Sequence, residues 1–180
     1  MAEEVSLVFD LETNGLLFDA STVHCLAIHD CNTQETIAYN DTGNEEPVIR
    51  GVQRLADADC ILGHNVIGYD IPVLNKLYPW FVPPSLVIDT LLLSRLYHPN
   101  LLEIDQKTKW RFMSQQLWSR HSLEAWGYRL GEYKGVFSKQ TDWSSWSQEM
   151  EDYCIQDVNV TTKLWKHFHK YLNGSNSNIR

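Results

Sequence analysis

The sequence predicts an α/β domain in which a mixed β-sheet is flanked by helices, and three observations carry that prediction. The chain has 180 residues, of which 43% are hydrophobic and 12% aromatic, which suits one compact domain with one buried core. Its first forty residues contain apolar runs with the character of strands. The later ones repeat with the period of helices, and strands followed by helices fit a layered α/β arrangement.

SLVFDLE (6 to 12) and TVHCLAIHD (22 to 30) read as strands separated by the turn-rich TNGLLFDAS, and ETIAYND (35 to 41) reads as a third. An antiparallel meander is the simplest start. Pro47 suits the first turn of a helix over VIRGVQRLADA, and CILGHN follows as a short strand. IPVLNKLY begins a second helix just after Asp70. DTLLLSRLY (89 to 97) makes a third, with Asp89 placed to cap it and Pro99 to stop it. HSLEAWGYRLG is a helix broken or ended by glycine. Residues 144 to 172 form a long last helix whose Cys154, Val158, Trp165, Phe168 and Leu172 make a core-facing stripe. NGSNSNIR, residues 173 to 180, reads as a disordered tail, so the single domain is expected over 1 to 172.

The net charge of -8 argues against a polybasic nucleic-acid coat, and its distribution is uneven. Residues 1 to 60 hold 12 acidic and 2 basic side chains, whereas residues 106 to 139 hold 2 acidic and 7 basic ones. That basic segment interleaves Lys107, Lys109, Arg111, Arg120, Arg129, Lys134 and Lys139 with Trp110, Phe112, Trp118 and Trp126, a mixture that can grip phosphates and stack bases. Core packing is the competing use of its tryptophans. The four cysteines, Cys25, Cys31, Cys60 and Cys154, form no CxxC pair, which argues against a zinc ribbon or a disulfide scaffold and for a reducing intracellular setting. The N-terminus has no basic region followed by an apolar one, and no uninterrupted apolar run is long enough for a membrane span. A cytoplasmic protein without a membrane partner is expected.

Asp10 and Glu12 lie two residues apart on the first strand, so their carboxylates share one face. A solvated strand end is the plain reading, but Val8, Phe9 and Leu11 make this an otherwise apolar strand. Asp70 stands where a strand passes into a helix, as a helix cap or a site residue, and His64 and Asn65 leave the same strand end, where open α/β sheets place ligands. Tyr153 and Asp157 are four residues apart and stack on one helix face. If the four acids converge they repel unless a hard divalent cation, Mg²⁺ or Mn²⁺, lies among them. Two such ions would serve an in-line phosphodiester displacement.

FDLET, GHNVIGYDIPVL and YCIQD, in that order, resemble the three motifs of the DnaQ-like DEDD superfamily of 3′-to-5′ exonucleases. The Tyr-x-x-x-Asp of the last one, Tyr153 and Asp157, matches the tyrosine branch. IDTLLLSRLYHPN and HSLEAWGYRLGEYKG are similar to the proofreading domain of family A DNA polymerases of the phage T7 type, with no polymerase segments following residue 172. The resemblance implies a ribonuclease H-like fold, with Asp10, Glu12 and Asp157 holding the ion that activates water and Asp10 bridging to a second. Asp70 would support that second ion, and Tyr153 would orient the water. Thr13, Asn14, Leu16 or Leu17, and Asn65 would hold the terminal nucleotide, with Lys107, Lys109 and Arg111 along the strand. His64 is expected to be a satisfied strand-end histidine, and HFH at 167 to 169 helix surface.

The expected activity is metal-dependent removal of 5′-mononucleotides from the 3′ end of single-stranded or frayed DNA. The expected partner is a DNA polymerase encoded separately or on a further C-terminal part, in the host cytoplasm if a phage encodes the chain. An RNA 3′-to-5′ exonuclease of the same fold is one alternative, because no residue visibly reads a 2′-hydroxyl. A non-catalytic module that recruits a replisome partner is the other.

Overall fold

The computed structural model describes residues 5–42, 46–108, 110–132 and 142–172. Lys109, Lys134, Lys139, the side chain of Leu172 and the tail from 173 lie outside the described residues.

Three strands, β1 (Ser6–Thr13), β2 (Val23–Asp30) and β3 (Thr36–Asn40), form the expected antiparallel meander. Helix α1 (Val48–Ala56) follows, and Pro47 stands immediately before its first residue. The Val48 amide donates to Asp41 Oδ1 at 3.0 Å, so the cap comes from the end of β3 rather than from the proline. Strand β4 (Cys60–Gly63) then runs parallel to β1, and β5 (Leu86–Asp89) runs parallel to β4. The order β3-β2-β1-β4-β5 places β1 at the centre of a mixed sheet.

Helix α2 (Asp70–Leu77) connects β4 to β5, and α3 (Thr90–Tyr97), α4 (Leu101–Lys107), α5 (Leu123–Leu130) and α6 (Gln148–Leu172) follow. Asp89 caps α3 as expected, accepting from the Leu91 amide at 2.9 Å. It also accepts from the amides of Asn65 and Ile67, so one carboxylate joins β5, α3 and the loop after β4. Ser122 caps α5, and Gly131, at φ 71°, ends it in the left-handed conformation that favours glycine. The last helix starts at Gln148, four residues later than expected, where Ser147 Oγ accepts from the Met150 amide.

Strand alternation decides which helix each face of the sheet meets. Leu7, Phe9 and Leu11 point with Leu26 and Ile28 into a cluster completed by Val48, Val52 and Leu55 of α1 and Val73 and Leu74 of α2. Val8, Cys25, Ala27, Cys60 and Leu62 face Met150, Cys154 and Val158 of α6. Asp10 and Glu12 share the register of Val8, so β1 aims both acids at α6. At the far end of α6, Phe168 and Leu164 pack with Trp126 and Leu101 in a third cluster. The His167 ring stacks on His98 within this cluster, with centroids 5.1 Å apart, so HFH is not plain helix surface. Only His169 of the three is exposed.

Candidate active site

Carboxylate oxygens of Asp10, Glu12 and Asp157 all lie within 4.8 Å of one another. Two of them come from β1. The third arrives because α6 crosses the same face, where the Cys154 thiol donates to the Asp10 carbonyl at 3.3 Å. Asp157 lies almost one helical turn further on and is buried, while Asp10 and Glu12 are half-buried. Three acids this close, offering an all-oxygen donor set, fit a hard divalent cation.

Asp70 does not belong to that group of three. It opens α2 as the first helical residue, one place past the N-cap position that Tyr69 occupies. Only 4% of Asp70 is exposed. Burial pushes its carboxyl well above the usual range, and the negative charge of Asp10 adds to the effect. The amide of Leu11, between the two acids of β1, hydrogen-bonds this carboxylate and partly opposes the shift. Pairing of β1 with β4 ends at Val8, so Asp70 meets β1 where the parallel neighbour has stopped.

The Tyr153 phenol is also held above its ordinary value, first by burial and then by the charges of Glu12, Asp10 and Glu124. It remains a protonated donor at neutral pH. Its position one helical turn before Asp157 follows from the helix period.

The loop after β1 is more tightly braced than its sequence suggests. Thr13 is buried, and its Oγ1 lies 2.8 Å from the Gly15 carbonyl. The Tyr69 hydroxyl donates to the same carbonyl at 2.6 Å and meets Thr13 Oγ1. Lys76 donates to the carbonyls of Leu17, Phe18 and Ala20. Asn14 spends its side chain on Ser21 and Thr22 inside the loop. Leu16 is 76% exposed, whereas Leu17 packs against the core. Tyr69 is the residue that sequence reasoning passed over. The signal available was its place directly before Asp70 in GHNVIGYDIPVL.

Asn65 occupies the left-handed region at φ 68°, which asparagine tolerates better than most residues. Gly63, two residues earlier, leaves no room for a side chain, since a Cβ there would collide with Val66 Cγ1 and stand 2.9 Å from the Phe9 carbonyl. His64 is hydrogen-bonded to Thr90 Oγ1 at 2.9 Å, as a strand-end histidine would be. Lys107 ends α4 and is exposed, and Arg111 is exposed with its guanidinium over the Phe112 ring. No structural element brings either into the group of three acids. Of the tryptophans in this segment, Trp126 is core, and Trp110 and Trp118 are half-buried.

A mixed sheet whose central strand and crossing helix unite three carboxylates defines an α/β domain with a site suited to a divalent cation. The chain belongs to the RNase H superfamily, a superfamily of nucleases, whose family model matches residues 7–169. It is 33% identical to the DNA-directed DNA polymerase of Escherichia phage T7 and 35% identical to that of Enterobacteria phage T3. Each match covers 88% of this chain and 26% of the polymerase, so the chain spans about a quarter of the length of those relatives. Among solved structures, NrnC of Brucella melitensis superposes with a TM-score of 0.65 at 17% identity, covering 96% of this chain and 76% of that one. A structure of NrnC with bound Mg²⁺ superposes at 0.63. These likenesses confirm the ribonuclease H-like fold. Among the described residues, no helix is long and apolar enough to cross a membrane.

Proposed function

We propose that this chain is a metal-dependent 3′-to-5′ exodeoxyribonuclease domain of the tyrosine branch, acting on single-stranded or frayed DNA ends as a proofreading activity. The observation that carries the reading is the group of three carboxylates, Asp10, Glu12 and Asp157, within 4.8 Å of one another. Similarity to two phage DNA polymerases favours DNA over RNA as the substrate. It also favours a polymerase partner, on the same or a separate chain.

Asp10, Glu12 and Asp157 would hold divalent ions, Mg²⁺ or Mn²⁺, with Asp70 supporting a second one. Such a pair supplies charge compensation and an ionisable water for in-line phosphodiester displacement. The Tyr153 hydroxyl, kept protonated by burial and by the charges of Glu12 and Asp10, donates one hydrogen bond that orients the attacking water. Leu16, exposed on a loop braced by Lys76, is available to pack on the terminal nucleotide, while Leu17 is committed inward. Thr13 and Asn65 set the floor of that nucleotide site, and Asn14 acts through the loop it braces. Lys107, Lys109 and Arg111 attract the strand that leads to it.

Digestion of 3′- and 5′-labelled single-stranded DNA and RNA, with Mg²⁺, Mn²⁺ or EDTA, tests polarity, sugar and metal together. The expected result is stepwise loss of DNA from the 3′ end, abolished by EDTA. Preferential digestion of RNA would transfer the reading to a ribonuclease, and no digestion in any metal would leave a recruiting module.

A further inference from the structure

A cavity of about 440 Å³ opens beside α5, lined by Trp110, Arg111, Phe112, Met113, Tyr128 and Gly131. We infer that it is a nucleobase pocket, which holds one base of the substrate strand upstream of the nucleotide being removed. The inference rests on the nuclease reading above and deepens it by naming a second contact with the strand.

Four features select a base as the occupant. The walls are aromatic and thioether side chains, Trp110, Phe112, Tyr128 and Met113, which suit a flat ring of any sequence. Phe112 is 69% exposed, although large aromatic side chains usually bury most of their surface. Arg111 lies with its guanidinium over the Phe112 ring, 4.9 Å from the centroid, so the pocket wall carries a cation that can meet a phosphate of the same strand. Lys107 and Arg111 are exposed on the stretch that supplies one wall, in a chain of net charge -8, and that local positive charge is complementary to a polyanion.

The pocket is built before any ligand arrives. Asp105 accepts from Arg129 Nε at 3.0 Å and Nη2 at 2.7 Å, and from the Ser119 amide at 2.9 Å. This ties the loop after α4 to α5, so the two walls are held in one position. Gly131 contributes an opening, because a Cβ there would meet no atom within 4 Å. Helix α5 links the pocket wall to the neighbourhood of α6. Glu124 of α5 is close enough to act on the Tyr153 phenol, and Tyr128 is one helical turn further along the same helix.

The test uses fluorescein-labelled thymidine decamers, each with one abasic site at a successive position from the 3′ end. Binding to the full chain is read by anisotropy, with Ca²⁺ replacing Mg²⁺. At one internal position, removing the base should weaken binding about five- to a hundredfold, the range of a base stacked on an aromatic side chain. In Phe112→Ala that position should no longer matter, and Phe112→Tyr should restore its effect. A profile with no internal minimum, or one that persists in Phe112→Ala, would overturn the pocket. A flat profile from a chain that still digests DNA with Mg²⁺ would remove the pocket alone and leave the cavity to a protein partner. A clear minimum without digestion would keep the pocket and remove the nuclease reading.

Discussion

The thiol of Cys154 donates to the carbonyl oxygen of Asp10 at 3.3 Å, which pins the second turn of α6 to the strand that carries two of the three clustered acids. Tyr153 and Asp157 lie on either side of Cys154 along α6. Exchange of Cys154 for a bulkier side chain would push that turn off β1, because the site is fully buried. Cys154→Leu is expected to slow DNA hydrolysis at least about tenfold, with a loss of stability of about 1–3 kcal/mol. Urea denaturation and single-turnover rates read the two effects separately.

Tyr153→Phe removes one hydrogen bond and no charge. The fold and metal affinity should persist while hydrolysis slows by about tenfold, the worth of one well-placed hydrogen bond. Asp157→Ala deletes a ligand from the carboxylate group, and a loss of at least about a hundredfold is expected. Excess Mg²⁺ should not fully restore it. Single-turnover rates on a short strand make the comparison, with circular dichroism as the folding control. A Tyr153→Phe variant as fast as the wild type would take the hydroxyl out of the mechanism.

Three carboxylates within 4.8 Å repel in metal-free buffer and attract a divalent cation. Adding Mg²⁺ or Mn²⁺ should raise the Tm. Glu12→Gln is expected to raise the Tm in EDTA, by relieving repulsion, and to shrink the metal-dependent rise. Calorimetry with and without metal decides it. A metal-dependent rise of the same size in Glu12→Gln would separate this side chain from ion binding.

His98 and His167 bring their Nε2 atoms to 2.9 Å, a contact that one shared proton satisfies and two protons break. Burial, with Lys170 and then His98, lowers the His167 pKa to about 4, and burial with Lys170, Arg129 and His121 lowers that of His98. The unfolded chain, with histidine near 6.5, therefore binds more protons than the folded one below that value. Stability from this pair is fully present above about pH 6.5 and is lost as the pH falls toward 4. His167→Phe should flatten the dependence of Tm on pH across that window.

Lys107 and Arg111 are exposed on the basic segment, where reversal of charge costs the fold little. Lys107→Glu together with Arg111→Glu should weaken single-strand binding and reduce its salt slope by about 1.4, at roughly 0.7 for each phosphate that is no longer neutralised. Titrations at several salt concentrations measure it. An unchanged slope would route the strand elsewhere.

Legibility of the sequence tracks the range of the interaction. The apolar runs of β1 to β4 and the helical periods of α1, α2, α3, α5 and α6 were readable because each period is a local property of the backbone. Strand β5 and helix α4 were not. Leu86–Asp89 is four residues long and, among the described residues, pairs with β4 at the edge of the sheet, and Leu101–Lys107 has seven residues, too few turns for a pattern to rise above composition. The placement of Asp10 and Glu12 on one face was likewise written in their spacing. So was the stacking of Tyr153 one turn before Asp157.

What the tertiary structure alone decided is which of these local patterns meet. Asp157 reaches the β1 acids across a separation of about 150 residues through the seating of Cys154 on Asp10, and Asp70 comes from the start of α2 to the Leu11 amide and within the influence of the Asp10 charge. Leu16 is exposed and Leu17 packs inward on a loop that Lys76 and Tyr69 brace, a difference that the TNGLL run does not encode. The His98–His167 contact and the pocket walled by Trp110 and Tyr128 join residues that share no period. The sequence by itself determined which residue types stand on each face of each element, since backbone geometry settles that residue by residue. The distances among carboxylates, the burial that raises the proton affinity of Asp70 and the cavity beside α5 exist only once helices pack on a sheet, because charge coupling and desolvation depend on neighbours that no local spacing encodes.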